Sequence, residues 1–404
     1  MGWRWRSPSV ETLSLRYLII VPVLLAIATA ALLFVHSDYN LVALYSQCHA
    51  HARIPLISRL PVVGPPSCYV VSFFEEAVAS SSSSRAVAVM ASILSFVAGL
   101  LTVYVVEGAR VCNLPNVLIA YPTGPLLVFN LVGGAFIWEL LITPAFFHRA
   151  RGILRARRAS DAGSGAGADE AARVSPLDPN LGQDMRHLRS DAEAVAIPAG
   201  VLLGFILPSA LMLALGTPLA VGIWLFSPVY VTLVRRAVRA ALPRLRRTTR
   251  ASAAGASDSR TLRSLHLESH QASLALVYAA PVLCSALSHW YLAWHVAAAR
   301  DDRMIMTRAT LGFIEVDIIF TALTVLYWIF VEVGWRVVVV MLGVSALLGP
   351  GAGVCAGWIY REGHWHDAFV KRSVSGGDED GRGERSGVST TAGPGGDERT
   401  PLLT

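Results

Sequence analysis

The chain has 404 residues, 54% of them hydrophobic and 15% charged, with a mean hydropathy of +0.52, which excludes both a soluble globular domain and a disordered chain. A formal charge of +6 and a pI near 9.2 would suit a nucleic-acid binder, but the arginines stand in connections between apolar runs. That is the positive-inside pattern of a polytopic membrane protein, so nucleic acid is discounted as a partner and membrane lipid is expected as one.

Tyr17–Val35 is apolar for about 19 residues, too long for the ~7–15-residue core of a signal peptide, and reads as a first span. Residues 36–66 are rich in proline and histidine and read as a loop. Cys68–Ala79 is too short to cross and reads as a short interfacial helix or, more simply, a solvated surface helix. Seven further spans are expected near residues 86–107, 125–147, 194–215, 218–236, 272–296, 309–331 and 337–360. The fourth and fifth follow from about 41 uncharged residues with Gly216-Thr217-Pro218 at their midpoint. The expected fold is therefore an all-α transmembrane bundle of about eight spans. An N-terminal span and loop (1–66) precede a catalytic bundle (67–360) and a Gly/Ser/Asp-rich tail (361–404) expected to be disordered. No convincing internal repeat is visible. The five cysteines, Cys48, Cys68, Cys112, Cys284 and Cys355, include no CxxC and no metal-type spacing. Neither a disulfide framework nor a metal site is expected.

Within 309–331, Asp317 interrupts an otherwise apolar run, and Glu315 lies about 200° around the helix from it. An aspartate at membrane depth costs about 2.5–3.5 kcal/mol or more and so faces protein or a polar cavity. Phe313, Phe320, Thr321, Thr324 and Trp328 share its helical face. The choice lies between a functional acid and a structural hydrogen bond to a neighbouring helix.

If all eight spans cross and both basic connections are cytosolic, Glu107, Asp317 and His289 share the lumenal leaflet, while Arg16 and the arginines before it stand on the wrong side. Glu107 has Arg110 one turn away, as either a second acid or a structural ion pair. On the sixth span Tyr278 and His289 fall on one side and Trp290 lies beside them; ring faces suit a developing cation by about 0.5–2 kcal/mol, although aromatics at a span's end also form interfacial belts. A protonated carboxyl in apolar surroundings is a general acid for an alkene or epoxide. DDxxD, GxSxG, HExxH, P-loop and GxGxxG signatures are absent from the sequence.

The order VVSFF, YVVEGAR, YPTGPLLVFNLVGGAF, VLLGFILPSALML, IWLFSPVYVTL, ALSHWYLAW and FIEVDIIFTALTVLYW, over roughly residues 68–360, resembles the fungal integral-membrane terpene cyclases of meroterpenoid pathways, the macrophorin and ascochlorin or ascofuranone group. The resemblance implies a cofactor-independent enzyme of the endoplasmic-reticulum membrane. It would protonate a farnesyl-type chain or its terminal epoxide and cyclise it through carbocations. Matched residue by residue, it implies Asp317 and Glu107 as the acids, His289 as an orienting group, and Tyr278, Trp290, Trp328 and Arg110 around the substrate. The sequence departs from the family's pattern at Val316 and Ile318, where an aromatic residue is expected beside the aspartate, and at Glu139, where a proline is expected. A proton-coupled transporter and a non-catalytic scaffold are the alternatives.

Overall fold

The run expected to form a third span does not cross the bundle. In the computed structural model, which describes residues 14–35, 64–78, 83–163, 187–251, 267, 271–298 and 301–363, that run is a helical hairpin broken at Gly133. All named elements are helices: α1 (Leu15–Ala30, prolonged by a π-helical turn to Val35), α2 (Gly64–Val78), α3 (Ser84–Ala109), α4 (Thr123–Val132), α5 (134–163, with a π-helical turn at Trp138–Ile142), α6 (Glu193–Leu215), α7 (Pro218–Leu225), α8 (Ser227–Ala251), α9 (Gln271–Ala298), α10 (Ile305–Val333), α11 (Trp335–Leu348) and α12 (350–363).

Contacts give each helix a direction. Ser83 at the start of α3 donates to Asp302 beside the start of α10, and Arg361 joins Glu107 near the end of α3 to Glu332 near the end of α10. Helices α3 and α10 therefore run parallel, whereas eight crossings would make them antiparallel. The discrepancy lies in α4 and α5. Helix α4 starts beside the end of α3, where Gly108 meets Ile119 and Pro122, and rises until Gly133 and Gly134 reach Asp317. Helix α5 then descends along α10, with Phe146 stacked on Trp328 at 4.1 Å, and returns to the end of α3, where Arg149 bonds the Cys112 carbonyl. The last run repeats the arrangement. Helix α11 rises until Leu348 and Gly349 meet Ser285, and α12 descends along α3 from Gly99 to Glu107.

Both hairpins turn on a glycine with positive φ, 115° at Gly133 and 89° at Gly349, a conformation that a side chain makes costly. Backbone N–H groups bared at such a break inside a bilayer need partners. Asp317 supplies them at the first tip, and Ser285 Oγ accepts from Ala352 N at 2.9 Å at the second.

Two of the eight expected spans are thus re-entrant hairpins. Among the described residues five helices are long and apolar enough to cross a membrane, six if the pair α7 and α8, bent by 56°, counts as one span. The protein is a multi-pass membrane protein. Both hairpins enter from one end of the bundle, which also carries Arg16, Arg149, Arg189, Arg235, Arg239 and Arg336. With the first of these crossings removed, Arg16 joins the other basic residues and its misplacement disappears. Arg235 and Arg239 meet there on the buried Glu193. At the opposite end Cys68 is disulfide-bonded, a bridge that the expectation of no disulfide framework did not foresee; Cys284 and Cys355 are free thiols. A disulfide belongs to an oxidising compartment and the basic end to the cytosol, so the two signals agree. In sealed microsomes an impermeant thiol reagent is expected to label Arg336→Cys directly but Met304→Cys only after detergent; the reverse pattern would invert this topology.

An order repeats within the bundle: a rising helix, a descending helix and a hairpin, once as α1, α3 and α4–α5, and again as α9, α10 and α11–α12. Each hairpin's returning arm packs along the descending helix of the other set. Because the first helix packs against α5 and α10, the N-terminal span belongs to the bundle. The compact unit extends through Glu362, so the tail begins later than residue 361. The expected disorder of the tail beyond residue 363 and most of the loop reading of 36–66 concern residues outside those described; at 64–66 the loop reading is corrected, because α2 has begun by Gly64.

Helix α2 is neither solvated nor loosely placed. Cys68, Val71, Ser72, Ala77 and Val78 are buried, Glu76 accepts from Thr307 Oγ1 at 3.1 Å, and Phe74 packs edge-on to Trp224 at 4.9 Å. It roofs the cavity described next.

Candidate functional site

A cavity of about 280 Å³ extends from beneath α2 toward mid-depth. Leu33 and Phe34 of α1, Tyr69, Val70, Phe73 and Phe74 of α2, and Met90, Ile93, Leu94 and Val97 of α3 form its roof and one wall. Phe313, Ile314 and Ile318 of α10 and Trp224 of α7 form the other, and the tip of the first hairpin, Phe129–Gly134, closes the floor. Seven of these residues are aromatic, with Phe34 and Phe73 edge-on to Phe313 at 6.4 and 5.6 Å. Among the described residues Asp317 is the one carboxyl in the lining.

Asp317 is 8% exposed. The N–H groups of Gly134 and Ala135 donate to its Oδ2 and Oδ1 at 2.8 and 3.0 Å. The same carboxyl therefore closes the hairpin, which is the structural reading left open by the sequence, and also lines the cavity. Negative charge at the start of a helix is further favoured by the backbone dipoles of α5. Each carboxyl oxygen keeps a second lone pair, so the hydrogen bonds do not prevent it from carrying or passing a proton. A Cβ at Gly133 would stand 3.1 Å from Oδ1, so a side chain here would push on the Asp317 carboxyl in addition to straining φ. Asn130, the other polar side chain at this floor, donates from Nδ2 to the Leu225 carbonyl at 3.0 Å, which ties the hairpin to α7.

The expected meeting of Asp317 with Glu107 and His289 does not occur. Glu332 lies fifteen residues beyond Asp317 on α10, about 22 Å at 1.5 Å per residue, and Arg361 holds Glu107 at the level of Glu332. Glu107 is buried in an ionic cluster: Arg110 Nε donates to it at 3.2 Å, Asn113 Nδ2 at 3.1 Å and Trp358 Nε1 at 3.2 Å, and Arg361 Nη2 also bonds it. Arg110 continues to Glu362, and the Arg361 guanidinium lies 5.1 Å from the Trp358 ring centre. The cluster fastens the end of α3 to the returning arm of the second hairpin. Counting the first hairpin, which lies between α3 and α10 in the chain, as a crossing reversed α10 relative to α3.

Trp328 is buried in a ring stack with Phe146, Trp138 and Trp358, the last at 4.8 Å, between the cavity's level and the ionic cluster. Tyr278 is also buried, and its hydroxyl has no hydrogen-bond partner among the described residues. His289 sits near the second hairpin's tip, 3.2 Å from the Ala346 carbonyl, and Trp290, 62% exposed, faces out of the bundle. None of Trp328, Tyr278, His289, Trp290 or Arg110 lines the cavity. Thr321 and Thr324 donate back to carbonyls of their own helix.

The cavity's aromatic residues on α1, α2, α4 and α7 escaped the sequence reading, although Phe73-Phe74 on a helix too short to cross was a usable signal. Glu139 entered it only as a departure from the family's pattern. It is 0% exposed, stands five residues beyond Gly134, has its Oε1 2.9 Å from Thr29 Oγ1, and lies within electrostatic reach of Asp317. Among the described residues no group of three His, Cys, Asp or Glu side chains is placed to hold a metal ion. Comparison of the chain with protein-family models, with curated proteins and with solved structures found no match.

Proposed function

We propose that the protein is a membrane-bound cyclase that protonates a prenyl chain, or its terminal epoxide, and closes rings through carbocations, as the resemblance of its motifs implies. The observation that carries this reading is the cavity with seven aromatic residues in its lining and one carboxyl, Asp317, at its floor. Its volume stands near the lower edge of the ~300–1,000 Å³ common for small-ligand pockets. A farnesyl-type chain would enter from the bilayer, with its reactive end at the floor and its head group toward α2.

Transfer breaks the Asp317 O–H bond and makes a C–H bond at the alkene, or an O–H bond as the epoxide C–O bond opens. The cation then passes to successive alkenes, each new C–C bond consuming one alkene, and ring faces stabilise it. Loss of a proton from carbon ends the sequence, and that proton returns to the protein, so the isomerisation has no co-reactant. Residence in the endoplasmic reticulum belongs to the same proposal.

Microsomes from a host without related pathways, fed a farnesylated phenol with and without its terminal epoxide in deuterated water, are expected to yield a cyclic product. Alkene protonation would leave one carbon-bound deuteron at the initiating position, and epoxide opening would leave none there. Unchanged substrate across a panel of prenylated compounds, with the protein folded in the membrane, would remove the cyclase reading.

A proton-coupled transporter is the second reading. Two re-entrant hairpins in a repeated helix order favour it, since transporter sites form at broken helices between repeats. Uptake of an unconverted prenylated compound, driven by a proton gradient and lost in Asp317→Asn, would select it.

A further inference from the structure

The hydrogen-bond inventory beneath the cavity assigns different states to two acids. Asp317 has a backbone N–H on each oxygen, the arrangement suited to an ionised carboxylate. Glu139 has none. Its Oε2 has no partner among the described residues, and its Oε1 lies 2.9 Å from Thr29 Oγ1. The Thr29 hydroxyl is also 2.9 Å from the Leu25 carbonyl, and its single hydrogen cannot complete both bonds. A proton on Glu139, donated to Thr29 Oγ1, completes the set: Glu139 donates to the hydroxyl and the hydroxyl donates to Leu25.

Glu139 and Ala135 are four residues apart on α5, hence on one face, and helical side chains lean toward the N-terminus. Glu139 therefore leans toward the carboxyl that Ala135 N–H contacts. Two neighbouring carboxyls in apolar surroundings do not readily ionise together, and no cationic side chain bonds to either among the described residues. Glu139 does not line the cavity and interacts electrostatically with Asp317, which does.

We infer that Glu139 holds the proton that Asp317 delivers into the cavity. The Glu139 O–H bond breaks as an Asp317 O–H bond forms, Asp317 passes its proton to the substrate, and the proton lost at termination reloads the pair. Glu139 thus acts through Asp317 as a positioning residue for the proton. The delivery step rests on the cyclase reading, whereas the resting place of the proton does not.

Infrared spectra of the full chain in lipid nanodiscs, in H₂O and D₂O, test it. The difference between wild type and Glu139→Gln is expected to show loss of a deuterium-sensitive carboxylic-acid C=O band, which Asp317→Asn retains and Thr29→Val shifts without removing. A band unchanged in both Glu139→Gln and Thr29→Val overturns the inference. In turnover, Glu139→Gln is expected to lower kcat about 100-fold at nearly constant KM, with partial recovery in Glu139→Asp. A kcat equal to wild type in Glu139→Gln would overturn the delivery step. If the band is lost but no prenylated substrate reacts with the wild-type protein, the cyclase reading fails and the proton's assignment to Glu139 stands.

Discussion

Replacing Asp317 is expected to abolish product while costing different amounts of stability according to the replacement. Asp317→Ala leaves Gly134 N and Ala135 N without their acceptors. At about 1.5–3 kcal/mol for each hydrogen bond to a charged group, the loss is about 3 kcal/mol or more, less whatever water entering from the cavity restores. Asp317→Asn keeps one acceptor oxygen for one N–H and is expected to lose about half as much. If Asp317 is only the cap of the first hairpin, activity should follow stability and the asparagine variant should keep a substantial share of it. If it is the acid, both variants lose turnover by at least about 100-fold. Thermal unfolding in detergent, paired with product formation per folded molecule, separates the two roles. Turnover near wild type in folded Asp317→Asn protein would leave Asp317 with the structural role alone.

Glu107→Gln is expected to show the opposite balance, with a large stability loss and little change in turnover per folded molecule. Removing one partner from a buried ionic group costs about 3–5 kcal/mol when it strands a charge. Here Arg361 retains Glu332 and Arg110 retains Glu362, so the lower end of that range applies. The second hairpin should loosen first, because Trp358 Nε1 and Arg361 on its returning arm both bond Glu107. Hydrogen exchange should rise along 350–363 before it rises along the first hairpin. Unchanged stability combined with lost turnover would return Glu107 to the chemistry, as the family resemblance implies, and would require the substrate to reach some 20 Å past the floor of the cavity.

What the sequence alone determined were the properties summed over short stretches. Apolar runs of about 20 residues specified membrane helices, and 84–109, 193–215, 271–298 and 305–333 follow them closely. A lone carboxyl in such a run marked Asp317 before any neighbour was known, because charge at that depth is costly wherever the chain folds. Hydropathy does not register direction. Residues 125–147 and 335–360 are as apolar as crossing helices, yet a chain that turns at Gly133 or Gly349 returns to the side it came from. Such a turn holds in a bilayer only where another helix satisfies its bared N–H groups. Those partners, Asp317 some 180 residues from the first tip and Ser285 some 65 from the second, are set by tertiary packing. The same reversal decided which acids are neighbours. Glu107 and Asp317 looked adjacent when every run counted as a crossing, whereas the folded chain gives Asp317 the buried Glu139 and commits Glu107 to two arginines at the far end of α10.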